Sequence, residues 1–403
     1  MRKLISVLSL TLVFLSCKQK ALMPGEEHLV SKGAKASCPY LTADAKGNAV
    51  LSWVEENDNG KGQMYYAVTK ENGLGDAIAI SAANNIHPHA ENLPKLLFRP
   101  NGQAVAMFGT EANDARNKYA GKVSYTVSKD GGRTWDAAQP LVSDTNSYDQ
   151  RYFDMALLPD GKVAAVWLDN RKRTTAEGSS LYYAVMDNSG KFEQERAITD
   201  KVCQCCRTDL YIDDKGIIHI AYRAILNDTV RDMVHVQSTD GGASFSQPAR
   251  ISADNWVIKG CPHTGPTMVK NEYGLHFAWF TMGGGEGVFY CQSQDNGITC
   301  SKKESISALP TAKHPQMAVM GNSELALVWD EAVKAGDKYN NRIGLQVKAA
   351  NGSKKEMIYL TPDSAFASFP VLKPLADNKV LVAYKKRVGE AEQVYWQQFP
   401  IHP

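Results

Sequence analysis

Residues 44–53 read "DAKGNAVLSW" and residues 158–167 read "LPDGKVAAVW". Each stretch joins a Gly-containing turn to a run of β-forming residues that ends in Trp, six residues after the Gly. The terminal aromatic recurs at Trp53, Phe108, Trp167, Tyr222, Trp279, Trp329 and Tyr384. The intervals are 55, 59, 55, 57, 50 and 55 residues. A repeat of strands and turns at this period predicts a radial array of four-stranded sheets.

The composition suits one large all-β domain. The chain has 403 residues, of which 43% are hydrophobic and 9% aromatic, so a sizeable core is expected. Seven repeats leave no room for a second domain within residues 31–403. A net charge of +2, from 45 basic and 43 acidic residues, gives no electrostatic basis for binding nucleic acid.

The first residues have the pattern of an export signal. The basic start "MRK" precedes an apolar run over residues 4–15, and Ser16 and Cys17 follow. This ending resembles the lipobox of bacterial lipoproteins, which implies cleavage before Cys17 and acylation of its sulfur. Residues 1–16 are then the signal peptide and residues 17–30 a tether. We expect a protein of the bacterial cell envelope, held to a membrane by its lipid alone; a cleaved signal with an incidental Cys is the alternative.

One turn motif appears three times at the same place in the repeat. Residues 128–135 read "SKDGGRTW", residues 238–245 "STDGGASF" and residues 293–300 "SQDNGITC", with Asp130, Asp240 and Asp295 at the acidic position. The Asp is expected to accept backbone N–H bonds within the turn, and the Gly to take a left-handed conformation.

These turns are Asp boxes, and with them the chain resembles the sialidase-like superfamily, also called the neuraminidase repeat family. The resemblance covers the mature chain and implies a β-propeller. Sialidases of this superfamily have six blades, whereas seven repeats are counted here. We favour seven four-stranded blades, with six as the alternative. The last repeat is one strand short, so an early strand near residues 28–31 is expected to close the ring.

In a propeller of this strand order, the segment leading into each blade's first strand reaches the mouth of the central channel. These segments collect an unusual set of side chains: Cys38, His87, His89, Glu91, Asp149, Arg151, Cys203, Cys205, Cys206, Arg207, Cys261, His263 and His314. Five of the chain's eight cysteines fall in this ring. The mouth of the channel is therefore the predicted functional site.

The cysteines of this ring allow three interpretations. In an exported protein they are expected to pair as disulfides, although seven cysteines after Cys17 cannot all pair internally. Alternatively, the ring holds a copper or zinc ion, copper being favoured, because thiolates and imidazoles select soft metals. The predicted ligands are Cys203, Cys205, Cys206, Cys261, His263 and His89. A redox-active disulfide is the third interpretation. Elsewhere, Cys291 and Cys300 flank one Asp-box hairpin and are candidates to bridge it.

The motifs Cys-x-Cys-Cys and Cys-Pro-x-x-Gly-Pro together look like a bacterial sialidase-like lipoprotein subgroup, which implies no particular reaction. The wider superfamily implies glycoside hydrolysis, with three arginines that bind the substrate carboxylate and an acidic residue as acid/base. Arg151, Arg207 and Arg223 are the candidate arginines, and Asp149 or Glu91 the candidate acid. The Arg motif expected near the first blade is absent from the sequence. Whether the protein is an enzyme stays open.

Three functional classes therefore remain. The first is a metal-binding or redox protein, the second a sialidase-type glycoside hydrolase, and the third a non-catalytic propeller that binds a glycan or a protein. The expected partner is a small molecule or a glycan. It is expected to bind at the end of the propeller that carries the channel mouth.

Overall fold

The structure is a computed structural model that describes residues 22–30, 35–70, 73–171 and 177–401. Within these ranges the regular structure consists of strands and no helix is present. Accordingly, none of the described segments is a helix long and apolar enough to cross a membrane. The predicted signal peptide and Cys17 lie outside the described residues. The all-β prediction is confirmed.

The strands form antiparallel groups in which neighbours along the chain are also neighbours in space, apart from β1, which pairs with β29. The first group contains β2 (Lys35–Ala43), β3 (Ala49–Glu56) and β4 (Gly62–Lys70), and β4 also pairs with the short β5 (Gly73–Leu74) and β6 (Ile78–Ala79). The second contains β7 (Lys95–Phe98), β8 (Ala104–Glu111), β9 (Gly121–Ser128) and β10 (Gln139–Pro140).

The third and fourth groups join into one eight-stranded sheet through a single residue pair, Val202 and Ala224. The third contains β11 (Gln150–Leu157), β12 (Val163–Asp169), β13 (Ser179–Met186) and β14 (Phe192–Val202). The fourth contains β15 (Asp209–Ile212), β16 (Ile218–Leu226), β17 (Val230–Ser238) and β18 (Ala249–Arg250).

The remaining groups end with one that uses both ends of the described chain. The fifth contains β19 (Thr267–Asn271), β20 (Gly274–Thr281), β21 (Gly287–Ser293) and β22 (Glu304–Ser305), and the sixth β23 (Lys313–Val319), β24 (Leu325–Ala335), β25 (Lys338–Lys348) and β26 (Lys354–Tyr359). The last contains β27 (Ala367–Pro374), β28 (Lys379–Val388), β29 (Ala391–Pro400) and β1 (His28–Leu29). His28 pairs with Trp396, and their rings stack with centroids 4.6 Å apart.

The repeated aromatics lie where the sequence pattern placed them, on the second strand of each group, and all are at most 2% exposed. Three of the tryptophans share a local motif, because the residue two positions later is a carboxylate that accepts the indole N–H. The Nε1–oxygen distances are 2.9 Å for Trp53 and Glu55, 3.2 Å for Trp167 and Asp169, and 2.8 Å for Trp329 and Glu331. The N–H group of each buried indole thus has a hydrogen-bond acceptor on its own strand.

The first strands of successive groups contact each other in order: β2 with β7, then β11, β15, β19, β23 and β27. β27 in turn contacts β2. The hydrophobic core between the first and last groups is continuous, since Val54 and Leu51 belong to the same cluster as Leu381 and Trp396. The three Asp-box turns connect the third and fourth strands of the second, fourth and fifth groups, and the Asp130 carboxylate accepts the backbone N–H and the hydroxyl of Thr134.

Because neighbouring strands are antiparallel, the Asp boxes lie at one end of the groups. The loops between second and third strands, and the links between groups, lie at the other end. We call this second end the loop face.

Four of the first strands contain a β-bulge near the loop face. In each, a non-glycine residue has a left-handed backbone: Cys38 (φ 55°), Tyr152 (φ 55°), His314 (φ 51°) and Phe369 (φ 53°). Such a conformation is strained for a residue with a Cβ, and a bulge turns the side chain away from the regular alternation of the strand. The bulges therefore place these four side chains out of the regular alternation of their strands.

Candidate functional site

A cavity of about 520 Å³ opens on the loop face. Its walls come from the segments that precede the first strands of several groups and from the loop between β8 and β9. Six residues of the predicted ring line it: His87, His89, Arg151, Cys205, Cys261 and His263. The structure thus brings together residues that are up to 176 positions apart in the sequence, from His87 to His263.

Three cysteine thiols cluster at this cavity. The sulfur of Cys203 lies 3.5 Å from that of Cys205 and 3.6 Å from that of Cys206, and the three sulfurs lie within 4.8 Å of one another. All three residues are at most 3% exposed. The Cys203 N–H donates to the carbonyl of Arg223 at 2.8 Å, which fixes the start of a tight turn that gathers the sulfurs. We call Cys203, Cys205 and Cys206 the thiol cluster.

Cys261 extends the thiol cluster toward solvent. Its thiol interacts with that of Cys205, yet the residue itself is exposed. The Cys205 contact, in which Cys261 acts as acceptor, lowers the pKa of the Cys261 thiol to about 7. Contacts with Cys205 and Cys206 likewise lower the pKa of Cys203. No disulfide joins any two of the described cysteines.

His89 also lines the cavity, but its ring is oriented as a donor. The backbone N–H of Glu91 donates to His89 Nδ1 at 3.2 Å, so a neutral ring carries its proton on Nε2. Burial is the main cause that lowers the pKa of His89 to about 4, and the second is electrostatic repulsion from His263. In this arrangement neither nitrogen offers a free lone pair. His89 is suited to donating a hydrogen bond, and the predicted role as a metal ligand would require the ring to leave Glu91.

The three candidate arginines have different surroundings. Of the three, all within the described ranges, Arg151 lines the loop-face cavity, where its guanidinium pairs with Asp149. Arg207 lines a separate cavity of about 180 Å³ and binds Glu91. Arg223 is 1% exposed and donates to the carbonyls of Arg231, Thr264 and Phe280. All three guanidiniums thus have protein partners, and Arg151 is the one of the three that also lines the loop-face cavity.

Asp149, the candidate acid, is likewise held by the protein. Its Oδ1 accepts the N–H of Gly121 at 3.0 Å, and its Oδ2 accepts the side-chain amide of Asn117 at 3.1 Å in addition to Arg151. Three donors therefore hold the Asp149 carboxylate in place at the edge of the cavity.

A buried polar network joins four side chains, those of Arg207, Glu91, His314 and Asp330. Arg207 Nη1 lies 2.9 Å from Glu91 Oε1, and His314 Nε2 lies 4.0 Å from the same oxygen. His314 Nδ1 lies 2.7 Å from Asp330 Oδ2, which also accepts the N–H of Phe369 at 2.7 Å. Burial raises the pKa of the Glu91 carboxyl, and its Oε2 has no partner among the described residues.

His314 and Glu91 were predicted from the sequence, whereas Asp330 was not. A signal was available, because Asp330 directly follows the aromatic anchor Trp329 on the second strand of its group.

The other cysteines lie apart from the thiol cluster. Cys291 and Cys300 interact through their thiols across the Asp-box hairpin, and the Cys300 contact raises the Cys291 pKa. The predicted bridge between them stays a prediction. Cys38 is 2% exposed in the core of the first group, and burial raises its thiol pKa to about 11.

No protein-family model matches this chain, and no curated protein matches it. Solved structures do. Polysaccharide lyase Uly1 is 12% identical with a TM-score of 0.57, and the match covers 97% of this chain and 94% of that one. A Dyadobacter fermentans protein of unknown function is 14% identical with a TM-score of 0.56, covering 94% and 99%. The intramolecular trans-sialidase from Ruminococcus gnavus, in complex with oseltamivir carboxylate, is 9% identical with a TM-score of 0.52, covering 93% and 96%. At these identities the likeness establishes a sialidase-like propeller fold.

Proposed function

We propose that this protein binds a soft metal ion, Cu(I) ahead of Zn(II), through the thiol cluster at the mouth of its central channel. The observation that carries the proposal is the placement of three sulfurs within 4.8 Å of one another. Three sulfurs that surround one ion at about 2.3 Å in a plane lie about 4.0 Å apart. The separations of 3.5 and 3.6 Å therefore need to widen by only a few tenths of an ångström.

The surroundings favour Cu(I) over Zn(II). Cu(I) is soft and is selected by thiolates, whereas structural Zn(II) takes four ligands in a tetrahedron. The three sulfurs lie in an apolar cluster that includes Leu210 and Val202. A fourth ligand for zinc would come from Cys261 or His263, which lie on the solvent side.

Element analysis of the anaerobically purified protein tests this proposal. We expect about one copper or zinc per chain, and none after joint replacement of Cys205→Ser and Cys206→Ser. Mass spectrometry under non-reducing conditions that finds all three cysteines in disulfides would reject a metal site.

We further propose that the groups are the seven blades of a closed ring. The cyclic contacts of the first strands support it, as does the pairing of β1 with β29. A crystal structure in which one group lies outside the ring would contradict this.

Anchoring in the cell envelope is proposed from the sequence alone. If Cys17 carries a lipid, Cys17→Ser releases the protein from membranes, since no described helix can span one. Unchanged membrane association of the variant, measured by fractionation, would require another tether.

A glycan is the second candidate ligand, and the cavity itself favours it. Arg151 and Lys118 provide positive charge on its wall, and Tyr119 is 71% exposed beside them. Two of the structural neighbours are named as a trans-sialidase and a polysaccharide lyase. Hydrolysis of a fluorogenic sialoside, abolished by Arg151→Met, would support this function over the metal site.

A further inference from the structure

The four cysteines at the cavity differ in their access to solvent. Cys203 and Cys206 are each 1% exposed, and neither lines the cavity. Cys205 is 3% exposed and does line it, and Cys261 is exposed. Cys205 connects the buried cysteines to the exposed one, because its thiol interacts with those of Cys203, Cys206 and Cys261. The sulfurs thus form a continuous path from the open cavity to the buried cluster.

We propose that Cys205 and Cys261 form an exchange position, through which the metal ion passes between a donor in the cavity and the thiol cluster. This rests on the proposed function. Two thiolates suffice to hold Cu(I), so the pair can bind an arriving ion before the buried sulfurs do. Cys206 and Cys203 then replace Cys261, and the ion ends in the three-sulfur position.

The first two steps each exchange one metal–sulfur bond for another. The Cys261 thiolate forms a bond to Cu(I) while one donor sulfur leaves, and Cys205 displaces the second donor sulfur in the same way. In the last step Cys203 and Cys206 each form a bond to Cu(I) while the bond to Cys261 breaks. The three thiols that lose a proton are those of Cys203, Cys205 and Cys206, and these protons pass to the two departing donor thiolates and to the departing Cys261 thiolate. Copper remains Cu(I) throughout. No oxidant or reductant is needed.

The cavity wall indicates the chemistry of the donor. Arg151, Lys118 and Glu111 line the cavity with Cys261, and Arg151 is paired with Asp149, so the charges of the wall are of both signs. The lining groups that select Cu(I) are the sulfurs of Cys261 and Cys205. The donor class that fits is therefore a thiolate-bound Cu(I) complex, whose sulfur ligands can be exchanged for these two, rather than the hydrated ion.

The test separates the speed of transfer from the strength of binding. Cu(I) is presented anaerobically as its glutathione complex, and uptake is followed by stopped-flow absorbance. Affinity is measured by competition with a chromophoric Cu(I) chelator. For Cys261→Ser we expect uptake to be slower by about tenfold or more, because the first attacking thiolate is lost, with the affinity changed by less than about threefold. Cys206→Ser should instead lower the affinity by about 100-fold.

Cys300→Ser is the matched control, because Cys300 lies in an Asp box away from the loop face and should change neither quantity. Equal uptake rates for the wild-type protein and Cys261→Ser would overturn the exchange position while leaving the metal site intact. A loss of affinity in Cys261→Ser as large as that in Cys206→Ser would also overturn it, because Cys261 would then be a resident ligand. Absence of uptake by the wild-type protein would refute the proposed function itself.

Discussion

Arg207 connects parts of the chain that are far apart in sequence, and its removal should be severe. Its guanidinium lies 2.9 Å from Glu91 and donates to the carbonyl of Pro315 at 2.7 Å. The exposed fractions of the two charged side chains are 9% for Arg207 and 2% for Glu91. Arg207→Met leaves a buried carboxylate without its cation. The expected loss in the free energy of unfolding is about 3–5 kcal/mol, the usual cost of breaking a buried ion pair from one side.

The double replacement of Glu91→Leu with Arg207→Met should recover most of that loss. Replacing both members of a buried pair by apolar side chains of similar volume is often close to neutral. Urea unfolding followed by tryptophan fluorescence measures each variant, and a shift of the midpoint at constant slope reports stability. Arg116→Met is the control, because Arg116 is 53% exposed and its pair with Asp114 should matter little.

An unchanged urea midpoint for Arg207→Met would contradict a stabilising role of this ion pair. A double variant as unstable as the single one would also contradict it, because Glu91 and Arg207 would then not be energetically coupled.

Three further outcomes are expected. Burial lowers the pKa of His219 to about 4 and that of His235 to about 3, so the unfolded chain, with pKa values near 6.5, binds more protons at acid pH. Urea midpoints should therefore fall between pH 6.5 and pH 4, and constant midpoints would contradict this. Trp279→Phe removes the indole N–H that donates to the buried Asp254 at 2.8 Å, and should lower the free energy of unfolding by about 2 kcal/mol in the same assay; an unchanged value would mean that this bond contributes nothing. Deleting residues 391–403 removes β29, which is also the partner of β1, and should unfold the protein because the edge of β28 is left unpaired. A truncated protein that circular dichroism shows to be soluble and folded would argue against a closed ring.

The fold was predictable because its determinants are local. Each aromatic anchor follows its own turn at a fixed distance, and burial of one apolar residue per repeat is a constraint that the sequence displays directly. The Asp boxes are equally local, since Asp240 binds Ser238 and Ser244 within a few residues. A repeat of such units leaves little freedom in the order of the strands.

The site was predictable only as a location. The segments that lead into successive strands meet at one end of the array, and this placed Cys205 beside Cys261 as expected. The direction of each side chain depends on features that the sequence does not display. Tyr152 and His314 lie at β-bulges and have left-handed backbones, a conformation that is uncommon for residues other than Gly and that the repeat pattern does not indicate.

Partners from opposite sides of the array were also hidden. Arg207 and Glu91 are 116 residues apart, and their pairing depends on how the strand groups between them pack. The role of His89 depends on a backbone N–H two residues away, which fixes the proton on the ring. Residue types alone suggested that His89 binds a metal ion and that Arg207 binds the carboxylate of a substrate. Both interpretations lose support because the hydrogen bonds of these side chains are made within the protein.

X-ray absorption spectroscopy at the copper edge tests the central claim most directly. The protein is loaded anaerobically with one equivalent of Cu(I), and the number and distance of the ligand atoms are determined. We expect three sulfur ligands at about 2.3 Å, and two in Cys203→Ser. A first shell made of nitrogen and oxygen alone, or a spectrum that is unchanged when Cys203 is replaced, would contradict a metal site built from the thiol cluster.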